Sequence, residues 1–152
     1  MLQPVERRAG GRARAIGQQI QIVTPSNERD FEPAFASLVQ QGAAALLVGD
    51  DPLFISHRES LINLAARHAV PTSYFQREFV AAGGLISYAT RYREAYRQLG
   101  VYAGRILKGD KPADLPVMQP GKFELVINLK TAKTLGLEVS PSLLALADEV
   151  IE

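Results

Sequence analysis

The stretch FEPAFASLVQQGAAALLVGDDP, Phe31–Pro52, decides the fold. Its first half places Phe31, Ala34, Phe35, Leu38 and Val39 at i, i+3, i+4, i+7 and i+8, the spacing of one helical face. Asp30 stands where an N-cap belongs, Pro33 falls in the first turn where its missing N–H does no harm, and Gly42 closes the helix. Ala43–Val48 then runs apolar without interruption over the length of one strand. Such a run suits burial on both faces in the middle of a parallel sheet. The polar loop Gly49-Asp50-Asp51-Pro52 follows at once.

The same alternation continues outward. Upstream, Gln19–Val23 alternates β-branched and polar residues and reads as a strand, preceded by a weak helix over Glu6–Ile16. Downstream, Ser56 and Glu59 have the spacing of a capping box, opening a helix with Leu61, Ile62, Ala65 and Ala66 on one face. Strands are expected over Val70–Phe75, Leu85–Tyr88 and Phe123–Ile127, and a short helix over Glu78–Ala82 ends at Gly83-Gly84. The strongest helical pattern is Tyr92–Lys108, with Gly109 at the C′ position. Asn128 caps a short helix that ends at Gly136, and Ser140-Pro141 opens a terminal helix. The expected class is α/β, a mostly parallel sheet flanked by helices with right-handed crossovers. Ligands of such sheets sit at the carboxyl ends of strands, which directs attention to Gly49–Pro52, Tyr74–Arg77 and Ser87–Arg91.

Composition narrows the function classes. The chain has 152 residues, of which 47% are hydrophobic, enough for a core and of single-domain length. Seventeen basic residues against sixteen acidic leave a net charge of +1, so no basic excess marks a nucleic-acid partner. The absence of cysteine excludes disulfides, thiolate metal sites and cysteine nucleophiles, and two histidines are too few for most zinc-hydrolase constellations. No apolar run reaches the length of a membrane span. Arg7, Arg8, Arg12 and Arg14 are followed by no apolar segment, so the start reads as a solvated helix face and not as a secretory signal.

Each candidate site residue carries two readings. Asp51 either meets a ligand's amine or hydroxyl or caps a turn ahead of Pro52. Ser87 and Tyr88, followed by Ala89-Thr90-Arg91, either line a pocket or pack at the sheet surface, and Tyr74 with Phe75 share that ambiguity. Gly83-Gly84 fits no phosphate-binding spacing and is better read as a helix stop. His57 and His68 lie at helix ends and suit solvation and the helix dipole better than base catalysis. No Ser–His–Asp arrangement and no G-x-S-x-G motif is legible, so the residues give no positive sign of an enzyme.

The segments FEPAFASLVQQGAAALLVGDDPLF, SLINLAARHAVPTSYFQREFVAAGGLISYATRYREAYRQLGVYAGRILKGDKPADLPV and KFELVINLKTAKTLGLEVSPSLLALADEVIE resemble the C-terminal part of the ABC-transporter substrate-binding proteins related to tryptophan/tyrosine-type importers. The resemblance runs from about Glu6 to Glu152, and KFELVINLKTAKTLGL together with YAGRILKG and KPADLPV is its most specific part. It implies one lobe of a periplasmic-binding-protein-like type I fold, in which two α/β lobes hold a small solute such as an amino acid or aromatic compound. It also implies an ABC permease as partner, a periplasmic location, no catalysis and no cofactor. By position, Asp51 falls on the family's acidic residue, though Pro52 replaces the Asn that follows it there. Ser87 and Tyr88 fall at the strand end facing the cleft, Tyr74 follows the intervening strand, and Thr90 and Arg91 begin the return toward the first lobe.

On this resemblance, residues 1–90 form the solute-binding lobe, 91–118 a helix and linker returning toward the first lobe, and 119–152 the last strand and terminal helices. Full-length members are about twice as long, so the chain is expected to be an N-terminally truncated form lacking a signal peptide, the first lobe and one central strand. Two neighbouring strands would then lack a partner, and Tyr96, Leu99, Ala103 and Ile106 would form an uncovered apolar stripe. The alternatives are the effector-binding lobe of a transcription regulator, which would want a helix-turn-helix, and an α/β sheet enzyme fragment, which would want a phosphate loop or an activated nucleophile.

Overall fold

The structure, a computed structural model, describes residues 13, 15, 17–118 and 122–152. The expected helix Glu6–Ile16 and the arginine-rich start fall largely or wholly outside the described residues. The chain divides into two compact units: residues up to Ala45 together with Asp51–Val70, and Leu46–Asp50 together with Pro71–Glu152.

In the first unit, a 3-10 turn over Glu28–Asp30 leads into α1 (Phe31–Gln40). Asn27, not Asp30, caps this entry. Its side chain accepts from the Arg29 N–H at 3.0 Å, while the Asp30 carboxylate reaches back to the Ser26 and Asn27 N–H groups at 2.8 and 3.2 Å. Two further helices follow, α2 (Pro52–Ser56) and α3 (Arg58–Arg67), and the chain breaks between them at His57. The Ser56–Glu59 capping box does not form, because the Ser56 hydroxyl donates to the Pro52 carbonyl at 2.9 Å inside α2. Phe31, Phe35 and Leu38 of α1 and Leu61, Ile62, Leu64 and Ala65 of α3 are buried and supply this unit's core. The predicted helical face of Phe31–Val39 is therefore the packed one, apart from Val39, which stays exposed.

The second unit is a five-stranded, mostly parallel sheet in the order β1 (Leu46–Leu47), β2 (Thr72–Tyr74), β3 (Ile86–Thr90), β4 (Phe123–Asn128), β5 (Glu149–Ile151). Only β3 and β4 run antiparallel, paired from Ile86↔Ile127 to Thr90↔Phe123. The helices are α4 (Arg77–Ala81), α5 (Tyr92–Leu107), α6 (Leu129–Thr134) and α7 (Pro141–Leu146). Asn128 and Ser140 cap α6 and α7 as the sequence predicts, accepting from Thr131 N–H at 2.9 Å and Leu143 N–H at 3.3 Å.

Three expectations about strands are corrected. Gln19–Val23 is irregular, with Ile20 and Ile22 exposed, because an alternating segment becomes a strand only with a neighbour to pair with. Ala43–Val48 yields only the two residues of β1, and they form an edge of the sheet with Leu47 77% exposed, not its buried middle. Conversely, the terminal segment does not end as a helix. After α7 the chain extends at Ala147, and β5 joins β4 in parallel, with Val126↔Glu149 and Ile127↔Val150 in register.

The core of this unit is α4 on the sheet. Phe79 and Val80 are wholly buried, as are Val126, Ile127 and Tyr74. The Tyr74 and Phe79 rings stack with centroids 4.8 Å apart. The two glycines after α4 serve different needs. Gly83 has φ 109°, a conformation that side chains resist. A Cβ on Gly84 would lie 2.6 Å from Tyr74 Cε2 and 2.8 Å from the Phe79 carbonyl oxygen, so only glycine lets β3 start against that ring. In contrast, no residue of α5 is buried, and Tyr96, Leu99, Ala103 and Ile106 form the uncovered stripe expected of it.

Two consequences are measurable. Gly84→Ala forces either the ring or the backbone to move and is expected to destabilise the chain by about 1–3 kcal/mol in urea unfolding; no loss would mean that the contact relaxes freely. Burial pushes the Tyr74 hydroxyl up to about 12, against the smaller opposing effect of its bond to Thr72. The folded state therefore holds this proton more tightly than the unfolded chain. Its contribution is complete below about pH 10 and is lost as pH rises toward about 12, worth roughly 2–3 kcal/mol. Tyr74→Phe should flatten the stability–pH curve by that amount over that window.

Candidate functional site

The second unit holds a cleft of about 570 Å³ at the carboxyl end of β3. Strand geometry builds it. In an antiparallel pair, directly opposite residues share a face and successive residues alternate. Ser87 and Ala89 thus lie on one face with Val126 and Glu124, their partners across β4, and Glu149 joins them through its pairing with Val126. The start of α4 adds Arg77 and Glu78, and the start of α5 adds Tyr92 and Arg93.

Among the predicted residues, Ser87, Thr90 and Arg91 line this cleft. Ser87 is 1% exposed, and its hydroxyl has no hydrogen-bond partner. A buried hydroxyl left unsatisfied carries a desolvation penalty, so native structures seldom keep one without a use for it. Arg91 bonds the Asp148 carboxylate at 2.7 Å and approaches Glu124 at 3.4 Å. Tyr88, one residue from Ser87, lies on the opposite face of the strand. It is 63% exposed, and its ring stacks on Phe123 at 5.3 Å.

The other two predicted residues take structural positions. Tyr74 is a core ring stacked on Phe79, and the lining of the cleft does not include it. Asp51 belongs to the first unit and caps α2, accepting from Leu53 N–H at 2.8 Å. Its neighbour Asp50, in the second unit, accepts from the Tyr92 hydroxyl at 2.8 Å and so ties the end of β1 to the start of α5. Burial and then that carboxylate push the Tyr92 hydroxyl up.

Sequence reasoning missed the ionic half of the cleft. One Arg77 nitrogen bonds both Glu149 oxygens, at 2.8 and 2.6 Å, and this bond raises the guanidinium further above its usual range. Arg77 falls in the strand-end segment Tyr74–Arg77, whereas Glu124 and Glu149 lie near the starts of β4 and β5 and not at a carboxyl end. Glu149 could not be placed without β5, whose three residues carry no periodic signal of their own.

The first unit has a separate hollow of about 390 Å³ between α1 and α3, lined by Phe31, Leu64, Glu28, Glu32 and Arg67 among others. Its charged groups satisfy one another or nearby histidines. Glu32 pairs with Arg67 and with His68 at 3.1 Å, and Glu28 pairs with His57 at 3.3 Å. No helix among the described residues is long and apolar enough to cross a membrane.

Comparison with solved structures finds the same fold in a conserved domain protein from Vibrio cholerae, with a TM-score of 0.84 and 23% identity over 96% of this chain and 49% of that one. An ABC domain from Streptococcus pneumoniae in complex with L-Trp gives a TM-score of 0.83 and 23% identity over 95% and 50%. A ligand-free, open substrate-binding protein with adhesive properties from Clostridium difficile gives 0.68 and 21% over 97% and 48%. The chain thus spans about half the length of each. A search of curated proteins finds no match. The family model for ABC transporter substrate binding proteins matches residues 12–151, nearly the whole chain, and the chain belongs to that family.

Proposed function

We propose that the chain is the solute-binding component of an ABC importer and holds a small solute in the cleft beside Ser87 for delivery to a membrane permease. One observation carries the reading: the Ser87 hydroxyl, buried and without a partner, lines a cleft at the strand end where α/β sheets take their ligands. Thr90 and Arg91 flank it. Family membership and a neighbour described in complex with L-Trp support a small organic solute.

The chain acts in this reading as one lobe of a two-lobed clamp. Its length, half that of each neighbour, and the uncovered stripe of α5 favour a first lobe of similar size that completes the cleft and is absent from these residues. Solute contacts stabilise the closed arrangement of the two lobes, and the permease reads closure. No chemical step is required of the chain. The complete protein works outside the cytoplasmic membrane, in the periplasm.

The test is a titration of the isotope-labelled chain with L-tryptophan, followed by two-dimensional NMR. The expected result is saturable shifts at the amides of Ser87–Arg93, with an affinity well below that of a two-lobed protein because only half the cleft is present. Ser87→Ala should weaken binding roughly three- to tenfold, the worth of one hydrogen bond. Shifts elsewhere only, or none across a panel of amino and aromatic acids, would overturn the assignment of this cleft.

A further inference from the structure

We infer that Asp148 and Glu149 of the C-terminal segment are the cleft's built-in counter-ions and set its specificity, reserving it for solutes whose head group carries no net charge, such as zwitterions. The inference rests on the solute-binding reading above for its biological meaning, and on the ion pairs alone for its physics.

The cleft lining contains three arginines, Arg77, Arg91 and Arg93, and three glutamates, Glu78, Glu124 and Glu149. The two arginines closest in sequence to the ends of β2 and β3 are already engaged. Arg77 is bonded to both oxygens of Glu149, and Arg91 to Asp148 with Glu124 close by. A guanidinium held by a carboxylate in this way is a charge-assisted pair with its own geometry. At Arg77 and Arg91 an incoming lone anion must displace a carboxylate or add a negative charge beside it.

The Asp148 carboxylate is held in place by backbone as well as by Arg91. The second Asp148 oxygen accepts from the Leu125 N–H at 2.9 Å, and the Asp148 N–H donates to the Leu125 carbonyl at 2.9 Å. The backbone of Glu149 is placed by its register against Val126, and its carboxylate is held by Arg77. Both acids are therefore preset by the pairing of β5 with β4 and do not depend on a solute to bring them in. Each guanidinium still has N–H groups beyond those used, and Ser87 can donate or accept. A zwitterion brings an acceptor for the former and a donor for the carboxylates, and leaves the charge balance unchanged. A bare anion offers only the first.

The experiment uses the whole chain, inorganic phosphate as a ligand-independent anion probe, and L-tryptophan as the zwitterion, at low salt where such pairs are least screened. In the unaltered chain, millimolar phosphate should leave the amides of Arg77, Ser87 and Arg91 unshifted. Asp148→Asn with Glu149→Gln removes the carboxylate charges bonded to Arg77 and Arg91, leaving Arg91 only its 3.4 Å approach to Glu124, while keeping an acceptor for the Leu125 N–H, and phosphate affinity at those amides should rise about tenfold. If the double variant loses its dispersed spectrum, Glu149→Gln alone is read at Arg77. Phosphate binding equally well before and after substitution would overturn the inference. Failure of L-tryptophan to shift Ser87–Arg93 in the unaltered chain would instead strike the solute-binding reading, because the phosphate comparison does not depend on it.

Discussion

The antiparallel pairing of β3 with β4 is the constraint on which the rest depends. Five consecutive residue pairs, Ile86↔Ile127 through Thr90↔Phe123, fix which side chains share a face. Ser87 must then point with Glu124 and Val126, and Tyr88 must point away from them. A slip of one residue would exchange the two sets and bury Tyr88 where Ser87 now sits. The cleft, its unpartnered hydroxyl and its glutamates follow from this register. So does the exposed stack of Tyr88 on Phe123.

The register is held by packing beneath it. Phe79 and Val80 of α4 are fully buried against the sheet, and Gly84 brings β3 in against the Tyr74 ring at a distance no other residue allows. The Asn128 amide donates to the Val80 carbonyl at 3.2 Å, and the Thr131 hydroxyl to the Gly83 carbonyl at 2.9 Å, which locks the end of β4 and the start of α6 onto the same helix. The core rings and the cleft are thus two ends of one small assembly. Tyr74 serves the first end, buried and stacked on Phe79.

Other parts of the chain are shaped by what is not beside them. β1 has β2 on one side and no strand among the described residues on the other, and it is two residues long with Leu47 largely exposed. Gln19–Val23 has β propensity and no ladder. α5 has a full helical pattern, sixteen residues long, yet none is buried. Each is a local preference without its tertiary complement. Propensity is a weak prior that burial must reinforce.

Local chemistry made much of this molecule legible from residues alone. The helical faces of Phe31–Val39 and Tyr92–Lys108, the caps at Asn128 and Ser140, the stop at Gly83-Gly84 and the α/β alternation all depend on neighbours within a few positions, so one chain is enough to read them. Ser87, Thr90 and Arg91 sit where a strand end and loop mark themselves locally, and all three lie on the lining of one cleft. Whether a strand is central or edge, whether Tyr74 faces a core or a cleft, and that Glu149 meets Arg77 across 72 positions depend on non-local pairing. No periodicity records which distant segment will lie alongside. Only the folded sheet decides that, because its hydrogen bonds and buried surface are made between residues that the chain order keeps far apart.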